Sequence, residues 1–476
     1  MTRFLPGLPA ALSAALVLAG CTAGPDYARP PLPGSSAIEE GAFLRAGEAT
    51  AAIPAARWWE GLGDPVLSAL VEEGLARAPT VDAALARIRQ ARAGITSARA
   101  SLFPVLSASA TYAYADLPNE AFGTGGGSNE FVTLGFDTQW EADLWGGARR
   151  DVERTRAEVA GAEARLADVR VSLSAEIART YVTLQARQAA LALLDRRRAD
   201  EARLLDLATQ RLRAGTGTGQ EVAAAKRRTG RTDAELAGLQ SETAVLRDSL
   251  AVLTGQAPGA RDSLAIAAIP LPPAEVAVGD PAAMLARRPD VLAAEAKLRA
   301  ATAKIGVAKA RTFPAISLLG LIGIGGSSIG DVFDTSQLSA IAVPRLTWNF
   351  LDFGRNKAAV TGAEAAREAA LAEYRAGVLA ALQDAEAALA RFGAARIGLA
   401  TAGDGLEQAR TAARLEAQRG RAGTISRSQV LDAECDRIDA ELAEANARAR
   451  LTLSYIALAK SLGLGWQAGH SEPVDD

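Results

Sequence analysis

The chain has little soft or nucleophilic chemistry to offer: one His, two Cys and two Met among 476 residues. The sole imidazole, His470, sits in a polar C-terminal tail beside Pro473, so Ser–His and Cys–His nucleophilic machinery has no base to build on. Met1 and Met284 are too few for a thioether site that would take a soft metal. Two thiols, Cys21 and Cys435, cannot make a disulfide framework, and Cys435 reads as a small residue packed on a helix. No Gly-rich phosphate loop precedes a helix, and Gly323 to Gly326 reads as a hairpin turn. Net charge is -3, with both signs scattered along the chain, so no basic block holds nucleic acid. Beyond Cys21 no run is apolar enough for a transmembrane helix. Whatever crosses a membrane here must be β, and no catalytic residue, metal or cofactor is expected.

What is abundant is helical periodicity. From Gly147 to Gly255 apolar residues recur at steps of three, four and seven, including Val159, Leu166, Leu173, Ile177, Tyr181, Leu184, Leu191 and Leu194. That seam predicts a long helix buried along one stripe. It breaks only at Arg213-Ala214-Gly215-Thr216-Gly217 and resumes from Val222 to Leu253. The first arm alone would be roughly 100 Å long. A shift of 208 lays Leu144-Trp145-Gly146 on Asp352-Phe353-Gly354 and Arg213-Ala214-Gly215-Thr216 on Arg421-Ala422-Gly423-Thr424. A shift of 210 lays Leu102-Phe103-Pro104 on Thr312-Phe313-Pro314, and Pro79 on Pro289. One architectural element therefore occurs twice.

Between Phe103-Pro104 and the Gly-rich turn Gly123 to Ser128, residues Leu106, Ala108, Ala110, Tyr112 and Tyr114 alternate with Ser107, Ser109, Thr111 and Ala113. Beyond the turn Val132, Leu134, Phe136, Thr138 and Trp140 alternate with Thr133, Gly135, Asp137, Gln139 and Glu141. Apolar-out, polar-in alternation over about ten residues is the signature of a membrane barrel strand, and it puts Asp137, Gln139 and Glu141 on the lumen side. A half-buried soluble hairpin would alternate the same way. The second copy runs from Ile316 to Ile324, turns, and returns from about Leu338 to Phe350, with Pro344 fitting a strand end or bulge. Four strands cannot close a barrel, since spanning barrels begin at about eight, and an open edge in lipid costs several kcal/mol per unpaired group. Several chains must therefore combine, and a threefold ring of about twelve strands satisfies the constraint.

At the N-terminus Arg3 precedes an apolar run from Ala10 to Ala19 and then Leu18-Ala19-Gly20-Cys21. The run is too short to span and reads as a secretory signal. Leu-Ala-Gly-Cys resembles the bacterial lipoprotein cleavage pattern, which implies acylation of Cys21; Thr22 in the next position is compatible with outer membrane sorting. The Pro/Ala/Gly-rich stretch that follows reads as a tether that lets the body sit away from its anchor. The expected organisation is a signal peptide (1–20), an anchored tether (21–56), a first repeat (57–255; hairpin about 105–141, helices about 147–255), a Pro-rich linker (256–280), a second repeat (281–465; hairpin about 316–350, helices about 355–463) and a polar tail (466–476). One helix is expected from about Asp64 through Ile88 to Ala100, capped with help from Glu60 and Asp64.

Gly24-Pro25-Asp26-Tyr27, Trp58-Trp59, Asp64-Pro65 and Arg287-Arg288-Pro289-Asp290, in that order and with the duplication, resemble the outer membrane efflux channels of the TolC type, in their lipid-anchored NodT-like branch. The likeness covers nearly the whole mature chain. It implies a mainly α fold with a β-barrel part: a homotrimer whose strands make one 12-stranded outer membrane barrel and whose helices continue as a hollow periplasmic α-helical barrel. It also implies a periplasmic adaptor, an inner-membrane pump of the RND type and surrounding outer membrane lipid as partners.

By the same resemblance both Arg-Ala-Gly-Thr turns are the far tip, where such channels close and an adaptor docks. The docking residues would be Arg213, Ala214, Gly215, Thr216, Arg421, Ala422, Gly423 and Thr424; the two glycines also read simply as helix C-caps. Asp432, Asp436 and Asp439 lie at helical spacing just inside the second tip, without a close basic partner on their own helix, while Ala224 stands where Asp432 would be in the first repeat. They read either as a solvated face or, with Asp432 in three copies, as an acidic ring favouring cations at the entrance. Ser428 occupies a position where relatives can carry a large apolar gating residue. The function expected is a passive exit duct for drugs or other small solutes; the alternatives are a non-conducting structural lipoprotein and an export duct for a secreted polypeptide.

Overall fold

The computed structural model describes residues 22–32, 36–47, 50, 52–117 and 127–466. The signal segment, Cys21, most of the Gly-rich turn and the tail with His470 lie outside the described residues.

Each repeat runs as a helix pair, a strand pair and a second helix pair. The first comprises α1 (Pro65–Arg77), α2 (Pro79–Ala100), β1 (Val105–Leu117), β2 (Gly127–Ala142), α3 (Gly147–Arg213) and α4 (Gly219–Leu253). The second comprises α5 (Pro281–Arg287), α6 (Pro289–Ala310), β3 (Ala315–Gly326), β4 (Leu338–Thr347), α7 (Arg355–Arg421) and α8 (Arg427–Ser461). Among the described residues no helix is long and apolar enough to cross a membrane.

The single helix expected from Asp64 to Ala100 is two. Proline has no N–H to donate and forces the residue before it out of the helical region; Ala78 is extended at ψ 129° and α2 begins at Pro79. Arg288 before Pro289 does the same at ψ 123°. The expected capping is also divided. Asp64 caps α1, its Oδ1 accepting from the Val66 and Leu67 amides at 2.9 and 3.0 Å, whereas Glu60 pairs with Arg57 at 2.9 Å. The return strand β4 stops at Thr347, and Pro344 lies inside it opposite Leu318 rather than at its end. An edge strand tolerates this because one side of its ladder lacks a partner within the chain.

The chain forms two compact units that cut across the repeats. Of the described residues, one unit gathers those up to Pro31, in Arg87–Glu163 and in Ala293–Arg375, and holds the sheet; the other gathers those in Leu32–Ala86, in Ala164–Leu292 and from Ala376 onward, and is helical. In the helical unit the seam is the core: Leu173, Ile177, Tyr181, Leu184, Leu194, Leu250, Ile438 and Leu458 are buried, with alanines between them. The Trp58-Trp59 pair belongs to this core. Trp58 meets Tyr455 edge-on at 6.0 Å between ring centres, and the Tyr455 hydroxyl donates to the Trp58 carbonyl at 3.3 Å. The Arg-Arg-Pro-Asp element is a clamp on the same core. Buried Arg288 donates to the carbonyls of Ala381 (3.2 Å) and Ser461 (2.7 Å) and to Asp290 (2.7 Å), and Arg287 donates to the Leu462 carbonyl (2.9 Å).

Two buried tyrosines differ in one respect. The Tyr181 hydroxyl donates to Asp64 Oδ2 at 2.8 Å, and burial, followed by this bond to a carboxylate, raises its pKa, while the Tyr374 hydroxyl is buried with no partner among the described residues. Removing a bonded hydroxyl costs about 1 kcal/mol, and removing an unsatisfied one is neutral or favourable. Tyr181→Phe should therefore lower the apparent melting temperature of the detergent-solubilised protein, and Tyr374→Phe should leave or raise it. A larger loss at Tyr374 would contradict this reading.

Candidate functional site

The sheet is antiparallel in the order β1-β2-β3-β4. Directly opposed residues of antiparallel strands share a face, so the register assigns every side chain. One face is apolar: Ala108 opposes Phe136, Phe136 opposes Ile322, and Ile322 opposes Ala340. Tyr112, Leu134, Phe136 and Ile322 are all exposed in the single chain, and a contiguous exposed apolar sheet face is what lipid covers. The opposite face holds Asp137, Gln139 and Glu141 with Ser107, Ser317 and Arg345, as the alternation requires.

The second hairpin adds what the alternation did not show. Leu321 opposes Asp137, Leu319 opposes Gln139, and Ile341 and Val343 continue the same rows. The polar face thus carries an apolar stripe on β3 and β4. The signal was present as the doublets Leu318-Leu319 and Leu321-Ile322, which break the period of two. At the helical end of the strands, indole N–H groups close onto backbone carbonyls: Trp140 to Leu102 (3.0 Å), Trp145 to Pro314 (2.7 Å) and Trp348 to Thr312 (3.1 Å). Such amphipathic rings suit a membrane boundary, where one edge is wet.

The segment after Cys21 is not the free spacer expected of its composition. Arg150, whose side chain is 6% exposed, donates to the Ala23 and Gly24 carbonyls at 3.3 and 3.4 Å, to Thr22 Oγ1 at 3.3 Å and to Asp26 at 2.6 Å. The Ala23 amide donates to the Trp145 carbonyl at 2.8 Å. Tyr27 donates to buried Glu295 at 3.1 Å, Arg29 pairs with the same carboxylate at 3.1 Å, and Arg299 lies 4.9 Å from the Tyr27 ring centre. Close approach requires glycine on both sides: a Cβ on Gly24 would stand 2.6 Å from the Gly306 Cα, and one on Gly306 would stand 2.6 Å from the Ala23 carbonyl oxygen. Gly-Pro-Asp-Tyr is therefore a docking motif, and Arg150 and Glu295 are the partners that sequence reasoning missed. They lie 124 and 268 residues away from Asp26 and Tyr27, with no local signal.

In the helical unit both Arg-Ala-Gly-Thr turns are exposed double caps. Gly215 (φ 74°) and Gly423 (φ 72°) adopt the left-handed conformation that ends a helix. Thr216 and Thr424 amides donate back to the Arg211 and Arg419 carbonyls at 2.9 and 3.0 Å, and the glycine amides to Leu212 and Gly420 at 3.1 Å each. This is the Schellman pattern in both copies. The next helices open at once on capping boxes, Thr218 with Glu221 and Ser426 with Gln429. Arg213, Ala214, Thr216, Arg421, Ala422 and Thr424 are left exposed, because the turn is satisfied by its own backbone.

Inside the second tip the acidic stripe finds cations on other helices. Asp432 accepts from Arg228 of α4 at 2.8 Å, and Asp439 pairs with Arg197 of α3, which also holds buried Glu201 at 3.0 Å. Burial pushes the Asp439 carboxyl above the usual range, opposed by Arg197 and reinforced by Asp436 and Glu201. Asp436 is exposed and carries no ion pair among the described residues. Ser428 lies half-buried, its Oγ 2.9 Å from that of Ser426. Cys435, on the same helix, is a buried free thiol, pushed up to about 11 by burial and the nearby Glu201 and Asp200.

The outer membrane efflux protein family profile matches the chain twice, over residues 70–256 and 281–464, once for each repeat. The chain belongs to this family and is an outer membrane efflux channel protein. The pyoverdine export outer membrane protein OpmQ of Pseudomonas putida is 30% identical over 430 residues, covering 88% of this chain and 90% of its own. The outer membrane protein OprJ of Pseudomonas aeruginosa is 28% identical over 473 residues, covering 97% and 96%. Among solved structures, the outer-membrane channel OprN superposes with a TM-score of 0.85 at 32% identity, covering 94% of this chain and 100% of its own. The duplicated strand-pair and helix-pair architecture is the fold of these channels.

Arg150→Ala removes charge-assisted bonds worth about 1.5–3 kcal/mol each. Hydrogen exchange of a peptide covering residues 22–31 should then quicken at the Ala23 amide by about tenfold or more, with the strands unchanged. Unaltered protection would show that the segment is held by other contacts.

Proposed function

We propose that three copies of this chain close a barrel of about twelve strands and act as the passive outer duct of a tripartite efflux system. The observation that carries the reading is the sheet: among the described residues it has four strands, an exposed apolar face and two unpaired edges. Hydrocarbon does not tolerate open edges, and closed cyclic symmetry removes them. In this reading Cys21 is acylated and, with Arg150 and Glu295 fixing the next residues, the acyl chains enter lipid beside the body of the protein. The chain performs no catalysis and needs no metal or cofactor; an inner-membrane pump of the RND class supplies energy. Asp137, Gln139 and Glu141 face the water-filled lumen. Planar-bilayer conductance and the mass of the solubilised protein test the core of this: steady conductance from a species of threefold mass is expected, and a non-conducting single chain would end it.

The exposed turns Arg213–Thr216 and Arg421–Thr424 are the surface for a periplasmic adaptor with helical hairpins. Their geometry supports this, since a turn whose backbone is internally satisfied presents its side chains without strain. Replacing both turns by Gly/Ser should abolish adaptor pull-down while leaving the oligomer intact; undiminished capture would reject the assignment.

At the entrance Asp432 shares its charge with Arg228, so the unneutralised carboxylate of the stripe is Asp436. A ring of both, with Ser428 offering no apolar seal, favours cations. Asp432→Ala would free Arg228 and should lower single-channel cation selectivity and divalent block more than Asp436→Ala does. Selectivity untouched by either substitution would leave the stripe as an ordinary solvated face.

A further inference from the structure

The two repeats of one chain meet along a seam between β2 and β3, and that seam describes a second one that a single chain leaves open. The repeats correspond residue by residue. Shifts of 210 for the outgoing strands and 208 for the return strands carry the observed hairpin pair Val105–Gln139 onto the observed pair Ala315–Thr347. The same shifts carry the Trp140 indole bond to the Leu102 carbonyl onto the Trp348 bond to the Thr312 carbonyl. Applied to the seam, they carry β2 onto β4 and β3 onto the β1 of another copy. β1 and β4 are the outer strands of the sheet, each with an edge to fill.

In the closed barrel proposed above, β4 of one copy borders β1 of the next; we infer the register of that seam and that Phe353 of the first stacks on Phe103 of the second. The pairs Trp140–Leu318, Gln139–Leu319 and Asp137–Leu321 within the chain become Trp348 opposite Ala108, Thr347 opposite Ser109 and Arg345 opposite Thr111 of the neighbouring copy. This rests on the multi-chain reading above and adds its interface.

Phe353 supplies an independent observation. Among the described residues it is the non-glycine residue with positive φ, 53°, and it is 94% exposed, a conformation and an exposure that a bulky aromatic residue rarely adopts. Asp352 holds the turn by accepting from the Gly354 and Asn356 amides at 3.0 and 2.7 Å. The repeat equivalent of Phe353 is Trp145, which stacks on Phe313 at 4.6 Å and 22°. The equivalent of Phe313 is Phe103, 66% exposed. Each copy therefore holds one unused half of this stack at either end of its sheet. The apolar face fits as well: the register sets the exposed Tyr112 and Tyr114 of β1 against Pro344 and Ala342 of β4, large against small.

Cysteine pairs in the full-length, membrane-inserted protein with Cys435→Ser test the register. Adjacent antiparallel rungs alternate between wide and close spacing, so one of Thr347→Cys with Ser109→Cys and Leu346→Cys with Ala110→Cys suits a disulfide. Thr347→Cys with Thr111→Cys is the control, displaced by two residues. Oxidation with copper phenanthroline should link chains through at least one registered pair, and neither through the control nor through single cysteines. No link from either registered pair in protein of threefold mass overturns the register alone; the same result in protein of single-chain mass overturns the multi-chain reading beneath it. For the stack, Phe353→Ala and Phe103→Ala should each lower the temperature at which the oligomer dissociates, and together by less than their sum. Strict additivity would show that the two rings do not meet.

Discussion

A β-strand edge carries a row of N–H and C=O groups, and in hydrocarbon each one left unpaired costs several kcal/mol. In this chain four strands with an apolar face end on two such edges, too few to curl round and meet. That shortfall connects the parts of the sheet unit. It makes the exposed Tyr112, Phe136 and Ile322 intelligible as a surface for lipid. It also gives the duplication a physical use, since a strand pair that matches its own repeat can match a further copy in the same way.

The duplication is structural before it is functional. Pro79 and Pro289 break the leading helices at equivalent points, and Gly215 and Gly423 end the long ones with the same bonds. The compact units nevertheless cut across the repeats, because strands join strands by backbone bonds and helices join helices by apolar seams. Each repeat contributes to both units and would leave its seam exposed alone. Where the repeats diverge, the reasons differ. Leu319, Leu321, Ile341 and Val343 add an apolar stripe to the polar face of the second hairpin, whereas Asp432 replaces an alanine and meets Arg228 of the first repeat.

Much of the architecture was legible as periodicity. Steps of three and four along Leu173, Ile177, Tyr181 and Leu184 announced a buried helical stripe, and alternation from Leu106 to Tyr114 announced strands, because those patterns are local consequences of 3.6-residue and two-residue geometry. Chain punctuation was less safe. Pro79 marks the repeat and also splits a helix that periodicity alone runs straight through, and Pro344 fits a strand end by composition but sits inside β4, opposite Leu318. Composition misled once: the Pro/Gly-rich segment after Cys21 resembles a loose spacer, but Arg150 and Glu295 pin it.

By itself the amino-acid order determined the element types, the duplication and the two cap turns, all of which follow from spacing within a few residues. Only the folded chain decided that Arg150 grips Thr22 to Asp26, that Arg228 offsets Asp432, and that Phe353 is left bare while its repeat equivalent Trp145 is stacked. Those outcomes depend on which residues, more than a hundred positions apart, are brought within a few ångströms. Side-chain charge and shape act only at that range, and no period in the sequence encodes it.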